Sequence, residues 1–265
     1  MGALGLRFSL IAVALMNSGV GGAVAASPGL ASHRAIYEMT LKSATQTSDI
    51  ADLSGQMMIE SADACDGWTL KQRIALTIAN FEGGVVHSYT SFVSWESKDG
   101  RRFRFEQETK RNDIIVEELG GEAAVAPGGG VAMLDKPLRL NLELAPGTMF
   151  PTSHTVLLIA HAEAGETFLS RVVFDGATPE GPNQITAFIG APTVSPNLPS
   201  EETAPEAWPI RLAFYRALSA GSEPDVEIGM LLQANGVIRH MTLDYGNFSI
   251  EGRLDKLELF PATEC

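Results

Sequence analysis

Cysteine is nearly absent from this chain: 265 residues hold two, Cys65 and Cys265, the second of them the final residue. Other absences narrow its chemistry further. No Gly-x-Ser-x-Gly elbow presents a serine nucleophile. No Gly-x-x-x-x-Gly-Lys loop cradles a phosphate, and Gly128-Gly129-Gly130 is followed by neither the lysine nor the helix that a nucleotide site needs. Basic residues are scarce, with 19 Lys and Arg against 32 Asp and Glu for a net charge of −13. That surplus repels phosphate backbones and anionic headgroups, so nucleic-acid binding is not expected. Long apolar runs are missing too, since nothing beyond the N-terminus approaches the roughly 20 apolar residues of a spanning helix. No period of about 20–50 residues recurs, which disfavours propellers and solenoids.

What is present begins at the N-terminus. Arg7 precedes a short apolar run at residues 8–16, and Ala23-Val24-Ala25 has the small-residue form of a cleavage site. Residues 1–25 therefore read as a secretory signal peptide. Its removal takes away Arg7 alone and leaves residues 26–265 as an acidic chain outside the cytoplasm, of a length that suits one large all-β domain. In an exported chain, two cysteines most simply form one disulfide. A bond from Cys65 to Cys265 ties the halves together, which favours a single domain.

Period-two alternation dominates the remainder. After Cys65, residues Trp68, Leu70, Ile74, Leu76 and Ile78 fall on one side and Thr69, Lys71, Arg73 and Thr77 on the other. Ala35, Tyr37, Met39 and Leu41 alternate in the same way, as do Leu138, Leu140, Leu142 and Leu144. Residues 85–96 and 102–109 read as a hairpin turned by Ser97-Lys98-Asp99-Gly100, and Asn235-Gly236 marks another between 226–233 and 237–245. Further strands are expected at 55–60, 114–119, 130–134, 167–174, 184–189, 210–218, 247–254 and 256–260, with 120–130 as a soft connection. Prolines crowd between residues 176 and 209, arguing for irregular exposed connections around a single strand. One helix is expected at 154–164, with Thr152 or Ser153 as its cap and Gly165 as its stop. The sum is an antiparallel all-β protein of roughly 12–14 strands and one helix.

Candidate chemistry is sparse. His154 and His161 fall two turns apart on one helix face with Glu163 nearby, but a zinc site wants a third ligand and a supporting shell. Capping or hydrogen bonding is the expected role of His154, the polar residue singled out as functional. His33, His87 and His240 sit in strand-like runs. Asp63, Asp66, Asp175 and Asp244 flank turns, and nothing in their spacing argues for a glycosidase pair. A thiol nucleophile at Cys65 is less expected than a structural bond. No metal, cofactor or catalytic residue is expected.

The order of several short motifs carries a resemblance. His33-Arg34-Ala35-Ile36-Tyr37, Cys65-Asp66-Gly67-Trp68, Phe150-Pro151-Thr152-Ser153-His154-Thr155, Phe174-Asp175-Gly176, Asn235-Gly236-Val237, Asp244-Tyr245-Gly246 and a C-terminal cysteine together resemble the cell envelope integrity protein EipB family of Gram-negative bacteria. The resemblance implies a periplasmic β-spiral, a long antiparallel sheet curled around a helix, with Cys65 and Cys265 at the positions of the family's disulfide. It also implies a role in envelope integrity and association with a periplasmic tetratricopeptide-repeat protein, and it carries over no catalytic residues. The expected activity is binding or scaffolding, because a concave sheet face can hold a lipid-like ligand and an edge can meet a partner. Trp68, Leu70, Phe103, Phe105, Leu157 and Phe214 are the expected cavity residues. The alternative is an envelope-remodelling enzyme acting on peptidoglycan or lipid, which requires a cluster of His, Asp or Glu in a pocket.

Overall fold

Alternating side chains bury one face of each strand, and the tight turns between strands lay them side by side. In the computed structural model, which describes residues 29–193, 206–216 and 223–265, fourteen antiparallel strands share one sheet. They are β1 (His33–Ala44), β2 (Ile50–Asp63), β3 (Gly67–Asn80), β4 (Val85–Ser97), β5 (Arg102–Arg111), β6 (Ile114–Ala126), β7 (Gly129–Lys136), β8 (Leu140–Leu144), β9 (Phe168–Val173), β10 (Asn183–Ile189), β11 (Ala207–Arg216), β12 (Val226–Gln233), β13 (Ile238–Asp244) and β14 (Phe248–Leu259). The helix α1 (Pro151–Glu163) falls between β8 and β9. Residues 1–25, expected as a leader, lie outside the described residues.

Strand order runs from β8 down to β1, then from β14 down to β9. The chain spreads from mid-sheet to one end, crosses as α1, and returns from the other end. β14 closes the circuit by pairing with β1, from His33 opposite Leu259 to Ala44 opposite Phe248. First and last strands thus meet in the middle, while the two outermost strands are chain neighbours. β8 and β9 do not pair. Met149, just ahead of α1, partly spans the interval: it donates its N–H to Val172 O at 2.9 Å and accepts that of Phe174 at 2.9 Å. The result is a curled sheet one interruption short of a barrel.

Three buried clusters follow the curl. Leu158, Ile159 and Ala162 of α1 pack against Leu169, Ile185 and Trp208. Phe103, Phe105 and Phe150 form an aromatic stack, with Phe103 and Phe150 ring centroids 5.1 Å apart, and Phe174 meets it edge-on. Tyr37, Met39, Leu53, Met57, Met241 and Ile250 fill the junction where β1 meets β14. At Gly176, with φ of +68°, a side chain would drive into the Phe105 ring, so this turn requires glycine.

Four local expectations are corrected. Residues 120–126 are not a soft connection but the second half of β6, because Gly120 and Gly121 pair with Glu106 and Phe105 where β6 passes close against its neighbours. The run at 138–144 starts late: Leu138 is exposed and β8 begins at Leu140, beyond Pro137. Pro209, counted among the breakers, sits inside β11. Its missing N–H falls where the β10 ladder stops, at Ile189 opposite Ile210, and its carbonyl still accepts Gly190 N–H at 2.8 Å. The two runs at 247–260 are one strand, β14, with a bulge at Asp255, since Tyr37 pairs with Leu254 and Ile36 with Lys256.

Candidate functional site

α1 begins without a cap of its own. Its N-cap residue is the buried Phe150, which supplies no side-chain hydrogen bond, and Thr152 and Ser153, expected as caps, lie within the first turn after Pro151. The first-turn donors are met from across the fold. Glu96, near the end of β4, accepts Thr152 N–H at 2.7 Å, Ser153 N–H at 2.8 Å and the Ser153 hydroxyl. A carboxylate there satisfies orphan amides and faces the positive end of the helix dipole. Glu96 is 1% exposed. Burial pushes its carboxyl above the usual range, against the opposing pull of the Ser153 and Thr152 donors. The alternation of β4 carries a signal for this role, since Glu96 pairs with Phe103 and so stands on the buried face.

With the helix start fixed, the following residue is fixed as well. His154 is 4% exposed, and its Nε2 has no hydrogen-bond partner among the described residues. Burial, aided by the charge of Arg171, holds its imidazole down to about 4. Beside it lies a cavity of about 210 Å³, walled by His154 and Leu158 of α1 and by Tyr37, Ile59, Leu70 and Ile238 of the sheet. Tyr37 Oη donates to Ile238 O at 2.8 Å, and burial pushes its phenol well up. His33, also on this wall, has Nδ1 2.8 Å from Ala31 O, and burial lowers its pKa.

The buried imidazole makes stability sensitive to acid. In the unfolded chain His154 takes up a proton near 6.5, whereas in the fold it does so only near 4. The folded pKa is depressed below the unfolded one, so this contribution is intact above 6.5 and is lost as pH falls toward 4. The loss amounts to roughly 3 kcal/mol. Urea midpoints measured from pH 7 to 4 should therefore fall less steeply in His154→Leu than in the parent; parallel slopes would contradict this assignment.

The other residues singled out from sequence disperse. Leu70 lines the cavity beside His154. Trp68 lies under Lys98, whose Nζ is 3.5 Å from the ring centroid. Phe103 and Phe105 belong to the aromatic stack, and Leu157 packs beside the α1 cluster without lining the cavity. Phe214 lines a separate cleft of about 550 Å³ with Asp175, Asn183 and Tyr245. His161 pairs with Glu166, and no group of three or more His, Cys, Asp or Glu that could hold a metal occurs among the described residues. Asp63, Asp175 and Asp244 each accept the backbone N–H two residues on, from Cys65 at 2.8 Å, Ala177 at 3.0 Å and Gly246 at 2.9 Å. These are Asx turns, the ordinary employment of a turn aspartate. Cys65 and Cys265 are joined, with Cα atoms 5.6 Å apart. No helix among the described residues is long and apolar enough to cross a membrane.

Comparison with known proteins agrees with this architecture. Residues 24–261 match the family model described as EipB-like. The cell envelope integrity protein EipB of Brucella abortus (strain 2308) is 32% identical over 272 aligned residues, covering 96% of each chain. A crystal structure of a β-barrel-like protein of a domain of unknown function from Brucella abortus superposes with a TM-score of 0.83 at 32% identity, over 88% of this chain and 99% of that one. A one-helix curled sheet, matched over nearly all of its length in both sequence and shape, places this chain in the EipB-like family.

Proposed function

We propose that this protein supports cell envelope integrity as a non-catalytic binding and scaffold module, exported to the periplasm by residues 1–25. In this reading it holds part of a lipid-like ligand beneath α1. The observation that carries it is the cavity between α1 and the sheet: Leu70, Ile59, Ile238 and Leu158 give it apolar walls, and His154, Tyr37 and Ser61 add a few polar groups. Ligand sites are typically concave, mostly apolar, and marked by a few fixed polar groups. The envelope-integrity name of the Brucella abortus relative supports the setting. The alternative, an enzyme acting on peptidoglycan or lipid, draws less support, because three of the four turn aspartates are engaged by their own backbone. The scaffold part extends to a periplasmic tetratricopeptide-repeat protein as partner, for which pull-down from periplasmic extract is the test.

The cavity is about the liquid volume of seven water molecules, at ~30 Å³ each, so it accommodates a segment of a chain and not a whole lipid. Native mass spectrometry of protein recovered from the periplasm is expected to show a bound amphiphile, which Leu70→Trp, by filling the space, removes. Repeated recovery of bare protein that takes up no added apolar compound would overturn the reading.

A further inference from the structure

We infer that the free edge of β9 docks an extended, neutral-to-basic polypeptide segment of another protein, which adds to the sheet as a further strand. No residue of β9 lines the cavity beneath α1, so the two sites stand or fall separately.

β9 ends the sheet and forms a ladder with β10 alone. On that side Thr167 O accepts Ile189 N–H at 2.9 Å, and backbone groups alternate in direction along a strand, so those of Phe168, Ser170 and Val172 face the other way. Met149 confirms the sense by taking Val172 O and Phe174 N–H. Past Met149 the edge is open. Among the described residues, the N–H groups of Phe168, Ser170 and Val172 and the carbonyl of Phe168 have no backbone partner on this side. Ser170 O is capped only by a side chain, Arg171 Nη1 at 2.8 Å. Donors and acceptors in a row at strand spacing are what a second peptide backbone complements.

The side chains beside this edge do not protect it. Exposed edges are usually blunted by shortness, proline or charge. β8, the other outermost strand, is blunted in these ways: it has five residues, begins just past Pro137, and exposes Asn141 and Glu143. β9 instead exposes Phe168 by 53%, edge-on to Phe188, which is exposed by 56%, with ring centroids 5.5 Å apart. α1 packs against the inward Leu169 and leaves both rings uncovered. An added strand, whose alternate side chains point to one face, sets every second residue on that aromatic surface.

Charge selects the occupant. The chain carries a net charge of −13, which repels a second copy and draws a basic segment. Arg171, the charged residue of β9, is already turned onto Ser170 O and calls for no acidic partner.

The test titrates the isotope-labelled exported protein with the capped peptide Lys-Thr-Val-Thr-Val-Thr-Val-Lys and follows amide exchange by NMR. One control replaces every valine by proline, and another replaces both lysines by glutamate. In the free protein the Ser170 and Val172 amides should exchange roughly a hundredfold faster than those of Leu169 and Arg171, which face β10. At saturation the valine peptide should slow Ser170 and Val172 by about tenfold or more. The proline control should slow neither, and the glutamate version should bind more weakly. Phe168→Lys, and Val172→Pro by removing one outward N–H, should each abolish the slowing. Protection of both amides in the free protein at every concentration would mean that its own chain covers the edge. Protection that grows with protein concentration would mean that a second copy does. Either result overturns the proposal, as does slowing by the proline control, no slowing by the valine peptide, or a glutamate version that binds as tightly. Should Val172→Pro fail to fold, Phe168→Lys, altered at an exposed position, still decides.

Discussion

Glu96→Ala is expected to destabilise the fold by about 3 kcal/mol or more, since two amides and a hydroxyl lose a buried charged acceptor and each unmet group costs roughly 1–3 kcal/mol. For a chain of this size that corresponds to a fall in melting temperature on the order of 10 °C. The effect comes from the link between β4 and α1, because Glu96 meets the first-turn donors of Thr152 and Ser153. It also carries a pH signature. Burial raises the native carboxyl above its unfolded value of 4.5, so its contribution is greatest below 4.5 and declines as pH rises through the native value. Glu96→Gln should remove that decline, and the slope is opposite in sign to the one assigned to His154. Thermal melts of the parent, Glu96→Ala and Glu96→Gln at pH 4 and pH 8 check both parts. Unchanged melting in Glu96→Ala would mean that α1 is held by packing alone.

Loss of the disulfide is the second large effect. Cys65 and Cys265 close a loop with a sequence separation of 200. Chain entropy assigns such a closure about 5 kcal/mol, although measured bridges more often give roughly 2–4 kcal/mol. In the native state the bond adds little that is not already fixed, because β14 pairs with β1 throughout and Thr263 Oγ1 donates to Asp63 O at 2.9 Å. The stabilisation therefore acts mainly on the unfolded ensemble. Cys65→Ser, Cys265→Ser, the double variant and reductant are expected to lower the urea midpoint equally. Their effects should not add, since all remove one and the same link. The denaturant slope should steepen as well, because the freed unfolded chain exposes more surface. Unequal single variants, or an unaltered midpoint on reduction, would contradict this.

The sequence made strands legible where one face is buried and turns are chemically specific. Asn235-Gly236 turns β12 into β13 as its composition demands, with Gly236 at φ +85°. Ala35, Tyr37 and Met39 face the core as their spacing implies. The family resemblance read from the ordered motifs is matched by the comparisons. What stayed hidden depends on distances through space. Alternation tells which face of a strand is covered but not how far around the curl it lies, so Leu70 lines the cavity under α1 while Phe103, also inward, lies in the aromatic cluster. Glu96 was hidden for a related reason: a carboxylate near a strand end reads as solvated until the helix that receives it is in place. The continuity of β14 was masked by the bulge at Asp255, which breaks the period without breaking the strand.

In a closed barrel, strand number and stagger dictate the girth. This sheet escapes that rule at one place, between β8 and β9, which share no ladder among the described residues; there Met149 bridges to Val173. Its girth is therefore not fixed by strand count and stagger alone, and the α1 side chains packed inside it, Leu158 among them, occupy part of the interior. A seam of this kind lets the interior change width while every hydrogen-bonded ladder is kept, so internal capacity is uncoupled from strand count.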